Sequence, residues 1–248
     1  MQLNGKVILI TGGSSGIGLE SIRHFLAEGM RVIICGRDGL KLQQAKSRFP
    51  SIATISCDIT NEEDVNVLYQ LIKGNGGVDV LYHNAGLVNV HSIAGQSAFA
   101  FASKEIETNY LAAVRLTSLF LPELAKRTEA AIVFTTSAAA YLPAAFIPTY
   151  SASKAALHSY VQSLRYQLKE THKNLKVMEL IPPTVDTKAT GNFTAKKIST
   201  ARVVKDLIHG LKNNHTTIHV SIARPFYYLH RFFPSFAFKI LNPKNPIR

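Results

Sequence analysis

Tyr150 and Lys154 stand four apart in the segment Tyr150-Ser151-Ala152-Ser153-Lys154. The residues that follow continue with helical spacing, and positions four apart on a helix share one face. The phenol and the ammonium are thereby aimed at one site. A tyrosine hydroxyl titrates near ~10 and is a poor acid or base at neutral pH. A cation roughly 4 Å away favours the phenolate by about 4 kcal/mol at an effective dielectric of about 20, or about three pKa units. The spacing therefore predicts a Tyr150 drawn toward the working pH by Lys154, where it serves as a general acid/base. Ser137 ends an apolar run, Ala130–Phe134, that reads as a buried strand. A hydroxyl at that position suits holding a substrate oxygen beside the phenol. The pair alone also fits an ordinary amphipathic helix with a surface lysine, so the surrounding elements decide.

Those elements alternate. Apolar strand-like runs at Lys6–Thr11, Arg31–Cys35, Ile52–Ser56, Val78–Tyr82, Ala130–Thr136, Lys176–Ile181 and Thr216–Val220 are separated by helical patterns. The helices fall at Ile17–Glu28, Leu40–Phe49, near Glu62–Lys73, within Phe99–Ala125, from Tyr150 onward and at Ser199–Asn213. This pattern predicts an α/β fold: one doubly wound domain over residues 1–248, with a parallel sheet of about seven strands covered on both faces. Ligands in such a sheet sit outside the carboxyl ends of the strands.

The glycine-rich turn Thr11-Gly12-Gly13-Ser14-Ser15-Gly16-Ile17-Gly18 lies at the first such end, between a strand and a helix. Its glycines let backbone approach a pyrophosphate, and the helix N-terminus supplies free N–H groups and a positive dipole end. The second strand ends Cys35-Gly36-Arg37, with a guanidinium where an NAD site usually carries an acid. Arginine pairs with a 2′-phosphate in a forked geometry, so NADP(H) is preferred, with Ser14 as a second phosphate ligand and NAD(H) the alternative. Asp38 next door opposes that preference. Asp58, followed by Ile59, either accepts from the adenine amino group or caps the next helix. Asn84-Ala85-Gly86 after the fourth strand is a small turn that lets backbone lie against the cofactor.

The composition, 46% hydrophobic and 18% charged, is that of a globular protein. The chain opens with a strand rather than a secretory leader, and no apolar run reaches the ~18 residues of a membrane span. A cytoplasmic location is expected, with Cys35 and Cys57 as buried free thiols. The net charge is +12, and from Lys188 onward eleven Lys or Arg face a single acid, Asp206. That asymmetry points to an anionic partner. No nucleic-acid-binding signature accompanies it, so nucleic acid is not expected as that partner. His215-x-x-x-His219 lacks a third ligand, and no metal is expected.

With these pieces assembled, the chain resembles the short-chain dehydrogenase/reductase family over nearly its whole length. The matching residues are the 11–18 turn, Asp58, Asn84-Ala85-Gly86, Asn109, Ser137 and Tyr150-x-x-x-Lys154. The resemblance implies a Rossmann-type domain that interconverts a carbonyl and an alcohol by hydride transfer. Tyr150 would be the acid/base, Ser137 would orient the substrate oxygen, and Lys154 would lower the tyrosine pKa and bind the nicotinamide ribose. Asn109 would hold a water that links Lys154 to solvent. Pro182, Val185 and Thr187 fall in the loop that contacts the carboxamide, and 188–200 where the family carries a substrate lid. A homodimer or homotetramer through the helices at 99–125 and 150–171 is also implied. Two departures stand out: His83 precedes the Asn-Ala-Gly turn where the family commonly has Asn, and Pro182-Pro183 replaces Pro-Gly. The Pro-Pro version is more weakly similar to a bacterial subgroup associated with lipoteichoic-acid D-alanylation. A catalytically silent dinucleotide sensor or scaffold on the same fold is the alternative reading.

The segment 224–248 interleaves Phe226, Tyr227, Tyr228, Phe232, Phe233, Phe236 and Phe238 with Arg224, Arg231 and Lys239, and carries no acid. Rings and cations so mixed suit peripheral contact with a membrane interface. A flap over the site, an arm on another subunit and simple fraying are the competing readings. The substrate-shaping segments, 88–96, 138–148 and 184–198, are apolar and aromatic, which implies an apolar small-molecule carbonyl or alcohol.

Overall fold

Seven short apolar segments form the spine of the protein. In the computed structural model, which describes residues 1–242, they are β1 (Val7–Thr11), β2 (Arg31–Gly36), β3 (Ala53–Ser56), β4 (Val80–His83), β5 (Ala130–Thr135), β6 (Leu175–Ile181) and β7 (Thr217–His219). Every residue of β1, β4 and β5 is buried, which is why these strands read as continuous apolar runs. All seven run parallel, in the order β3-β2-β1-β4-β5-β6-β7. The chain builds outward from β1 to β3, then returns to the far side of β1 to lay down β4. That reversal opens a crevice at the carboxyl ends of β1 and β4.

Helices α1 (Gly16–Ala27), α2 (Gly39–Arg48) and α7 (Thr200–Lys212) cover one face, packing on Ile8, Ile10, Ile34 and Leu180. The other face takes α3 (Glu62–Gly74), α5 (Ala112–Ala125) and α6 (Pro148–Leu168), packed on Leu9, Leu81, Phe134 and Val177. The helix start before α3 is capped by Asn61, whose side chain accepts from the Asp64 N–H at 2.9 Å, and not by Asp58. The pattern over 99–125 is two helices rather than one. Helix α4 (Ala98–Ile106) passes into a five-residue π turn, Glu107–Leu111, before α5 begins. Such widened turns concentrate at functional sites, and this one carries Asn109.

Pro148 opens α6 at its first position, where the missing N–H costs nothing. The buried stripe of α6 runs Lys154, Leu157, Val161, Leu164 and Leu168, at steps of three and four. Each fully buried Leu or Val contributes roughly 1.5–3 kcal/mol, enough to hold the helix against the sheet with a lysine in an apolar row. Past β7 the chain forms α8 (Ala223–Phe232) and α9 (Pro234–Leu241). Of the segment read as a basic aromatic tail, residues 243–248 lie outside the described residues. Cys35 and Cys57 are both buried free thiols.

Candidate active site

Lys154 is 3% exposed, and its Nζ donates to the Thr135 carbonyl at the end of β5 at 2.8 Å. The ammonium sits 5.8 Å from the centroid of the Tyr150 ring. Burial pulls Lys154 down to about 8. The spacing argument anticipated a phenol drawn toward neutrality, and the geometry corrects this. Burial pushes Tyr150 up to about 12, with Ser137 pulling the other way and the Glu105 carboxylate adding to the rise. Lys154 gives its hydrogen bond to the Thr135 carbonyl rather than to the phenol, and desolvation of the phenolate wins.

Ser137 follows β5 in extended backbone, and its side chain accepts from the Ala139 N–H at 3.2 Å. The next N–H, from Ala138, donates to the Pro182 carbonyl at 3.0 Å, which fastens the serine to the exit of β6. Asn109 is buried. Its Oδ1 accepts from the Leu87 N–H at 2.7 Å, while its Nδ2 donates to the Leu87 carbonyl and to Ser153 Oγ, both at 2.9 Å. The π turn thus clamps the chain after Gly86 onto the helix that carries Lys154. A Cβ added to Gly86 would lie 3.5 Å from both Asn109 Oδ1 and Lys154 Nζ. Asn109, Ser137, Tyr150 and Lys154, drawn from the π turn, the exit of β5 and α6, therefore meet at one corner.

The nucleotide edge is built mainly from backbone. Thr11 Oγ1 accepts from the N–H groups of Asn84 and Ala85, each at 3.1 Å, and Asn84 Nδ2 donates to the Thr11 carbonyl at 3.0 Å. These bonds staple the ends of β1 and β4. Gly12 has φ +64°, and a Cβ there would fall 2.9 Å from Ala85 Cα. A Cβ on Gly16, φ +53°, would reach Thr187 Cγ2 at 3.2 Å, so the first turn also meets the loop after β6. Ser15 caps α1 without using its side chain, and the first turn of α1 carries no acid. The leading N–H groups at Gly16, Ile17 and Gly18 keep an uncompensated positive end for an anion. Val185, 5% exposed, bridges to Ile198.

Beyond β2, Gly36 lies against Ser14, whose Oγ would stand 3.4 Å from a Cβ on that glycine. Arg37 Nη1 pairs with Asp58 Oδ2 at 3.6 Å, and Arg37 remains largely exposed. Burial alone would raise Asp58, but the Thr60 N–H and hydroxyl, with Arg37, hold it below its ordinary value. Ile59 is a core residue, so only its backbone faces this edge. Asp38 is occupied elsewhere: it caps α2 by accepting from the Lys41 N–H at 3.1 Å and pairs with Lys41 Nζ at 2.6 Å. His83, in the place of the commoner asparagine, is buried, lies 3.0 Å from Thr117 Oγ1 through Nε2 and stacks on Phe134. Burial pulls it down to about 3, so it is a neutral packing residue.

Sequence reasoning missed Glu105. This carboxylate is fully buried; it accepts from the Asn89 N–H at 2.7 Å, from Asn89 Nδ2 at 3.0 Å and from the Thr149 hydroxyl. No cation pairs with it among the described residues. Its place four residues before Asn109, on the same helical stripe, was the available signal. Phe193 was missed as well: it sits in the segment 188–200 and packs edge-on against Phe146 at 5.3 Å. That segment opens with a 3-10 turn, Lys188–Thr190, and is pinned where the Ile198 N–H donates to the Thr184 carbonyl at 3.0 Å.

The sequence pattern described as short chain dehydrogenase matches residues 6–198, and the chain belongs to that family of oxidoreductases. It is 40% identical over 220 residues to the uncharacterized oxidoreductase DltE of Bacillus subtilis, covering 86% of each chain. The similarity to ketoacyl reductase HetN of Nostoc is 30% over 229 residues, covering 88% of this chain and 79% of that one. Among solved structures, a short chain dehydrogenase from Burkholderia cenocepacia in complex with NADP superposes with a TM-score of 0.86 at 23% identity, covering 97% of this chain and 99% of that one. A short-chain dehydrogenase from Sphingobium yanoikuyae in complex with NADPH gives 0.81 at 21% identity, covering 93% and 94%.

Proposed function

We propose that the protein reduces an apolar carbonyl compound to an alcohol with NADPH. The observation that carries the reading is the meeting of Ser137, Tyr150, Lys154 and Asn109 beside an anion-ready helix N-terminus. The residues present fit a dinucleotide: Gly12 and Gly16 leave a cradle that side chains would fill, and Ser14, against Gly36, with Arg37 next in the chain would hold a 2′-phosphate. The solved NADP and NADPH complexes of the same fold support that choice. The bound nicotinamide supplies the hydride.

Ser137 holds the carbonyl oxygen, and Tyr150 donates its proton to that oxygen as charge develops there. A phenol pushed up to about 12 by burial keeps its proton at neutral pH, so Tyr150 is present in the form that donates. Lys154 would hold the nicotinamide ribose, with its Nζ 5.8 Å from the centre of the Tyr150 ring. Asn109 fixes the Lys154 side of the corner, and its Oδ1 has a lone pair left for a relay water. The segment 188–200 serves as the substrate lid, and subunits associate through α5 and α6.

Tyr150→Phe is expected to abolish NADPH oxidation across a panel of aldehydes and ketones while leaving NADPH affinity within about twofold. Nucleotide binding without turnover in the unaltered protein would establish a sensor or scaffold instead. Turnover surviving in the variant would remove Tyr150 from the mechanism.

A further inference from the structure

The structure leaves a two-helix surface at the C-terminal end that the proposed reaction does not use. On α8, Arg224, Tyr228, Arg231 and Phe232 fall at i, i+4, i+7 and i+8, so they share one face. All four are exposed, Phe232 at 69%. On α9, Phe236 and Ile240 repeat the spacing, with exposed Lys239 beside them, and Phe233 lies open at the joint. Contiguous exposed rings on this scale mark an interaction surface. The charge that this segment carries is all of one sign, since no acid occurs from Arg224 to Arg248.

We infer that α8 and α9 dock this protein onto an anionic phospholipid bilayer, with the rings at the acyl boundary and the cations among the headgroup phosphates. Charge selects this occupant over a second copy of the chain. A two-fold contact would bring the cations of this face, Arg224, Arg231 and Lys239, together with those of the second copy, with no acid on α8 or α9 to separate them. No helix among the described residues is long and apolar enough to cross a membrane, so the contact is peripheral. The surface is also tied to the substrate edge. Tyr141 Oη donates to the Ala223 carbonyl at 2.8 Å, and Tyr141 packs edge-on against Tyr227. Asn242, just past α9, donates to the Pro143 carbonyl at 3.1 Å and accepts from the Ala145 N–H at 2.5 Å. Docking would therefore bring the 138–148 segment, which leads into Tyr150, to the bilayer surface.

The test is sedimentation of the full-length protein with vesicles of phosphatidylcholine alone and of phosphatidylcholine containing about one third phosphatidylglycerol. Binding is expected to the anionic vesicles only. Reversing Arg224, Arg231 and Lys239 to Glu should weaken it by at least about a hundredfold, and Phe232→Ser with Phe236→Ser by about tenfold. NADPH affinity and the unfolding midpoint should stay unchanged in both variants. Equal recovery on neutral vesicles, no recovery on anionic ones, or binding indifferent to both variants would overturn the proposal. A dimer in lipid-free sedimentation velocity that the two serine substitutions convert to monomer would overturn it as well, and assign the surface to subunit pairing.

Discussion

The nucleotide edge and the substrate edge meet at Tyr150, yet they are held by different means. Around Gly12, Asn84 and Ala85 the chain is fixed by backbone groups bonded to Thr11 and Asn84, within a few residues of strand ends. Around Phe146, Phe193 and Asn242 it is held by ring contacts and by bonds between segments about a hundred residues apart. Backbone recognition tolerates almost any side chain outside the turn, whereas ring contacts depend on the side chains themselves. A substitution at the cofactor half outside the turn, Thr11 and Asn84 therefore leaves its bonds in place, whereas one at Phe146 or Phe193 removes the contact itself.

Four substitutions separate the halves by size of effect. Lys154→Met should lower turnover by about a thousandfold, read in steady-state kinetics. The same variant carries a pH signature. Lys154 is pulled down to about 8 in the folded protein, from an ordinary 10.5. The folded state therefore resists its charge, and the cost is fully present below about pH 8. It is relieved as pH rises from there toward the unfolded value. The stability of wild type relative to the variant should rise over that window in chemical unfolding; a flat difference would mean that burial does not disfavour the charge. Arg37→Asp comes next, weakening NADPH by about a hundredfold while leaving NADH nearly unaffected in fluorescence titration. Equal losses would deny Arg37 the 2′-phosphate.

Gly12→Ala should weaken both nucleotides by about tenfold and lower stability by roughly 2 kcal/mol. It forces a left-handed backbone on alanine and a Cβ against Ala85. The smallest effect belongs to the other edge: Phe193→Ala should raise KM about threefold for bulky carbonyls with kcat nearly unchanged. A loss shared equally by all substrates would make Phe193 part of the common machinery and erase the contrast.

The sheet was legible because β1, β4 and β5 are buried on both faces and so read as unbroken apolar runs. Tyr150 and Lys154 were legible because helical spacing is local. The strength of their coupling was not. It depends on Lys154 turning to the Thr135 carbonyl, a contact made across the fold. Glu105 escaped notice for the same reason, since Asn89 and Thr149 approach it from distant segments. The break between α4 and α5 was invisible because a π turn has no residue signature of its own, and the weak helix formers Thr108, Asn109 and Tyr110 say nothing of how wide a turn will be.

That widened turn has a consequence for anyone who edits the chain. Removing one residue from 107–111 would let the two flanking helices fuse into a regular rod, a change that local propensity would welcome. A turn closed by i→i+5 bonds holds about one residue more than a regular one, so the flanking helices would keep nearly their present orientation. Asn109 would instead lose the widened turn that aims its amide at Leu87 and Ser153. Such a single-codon deletion would leave a protein that folds and has lost the alignment of its reacting corner.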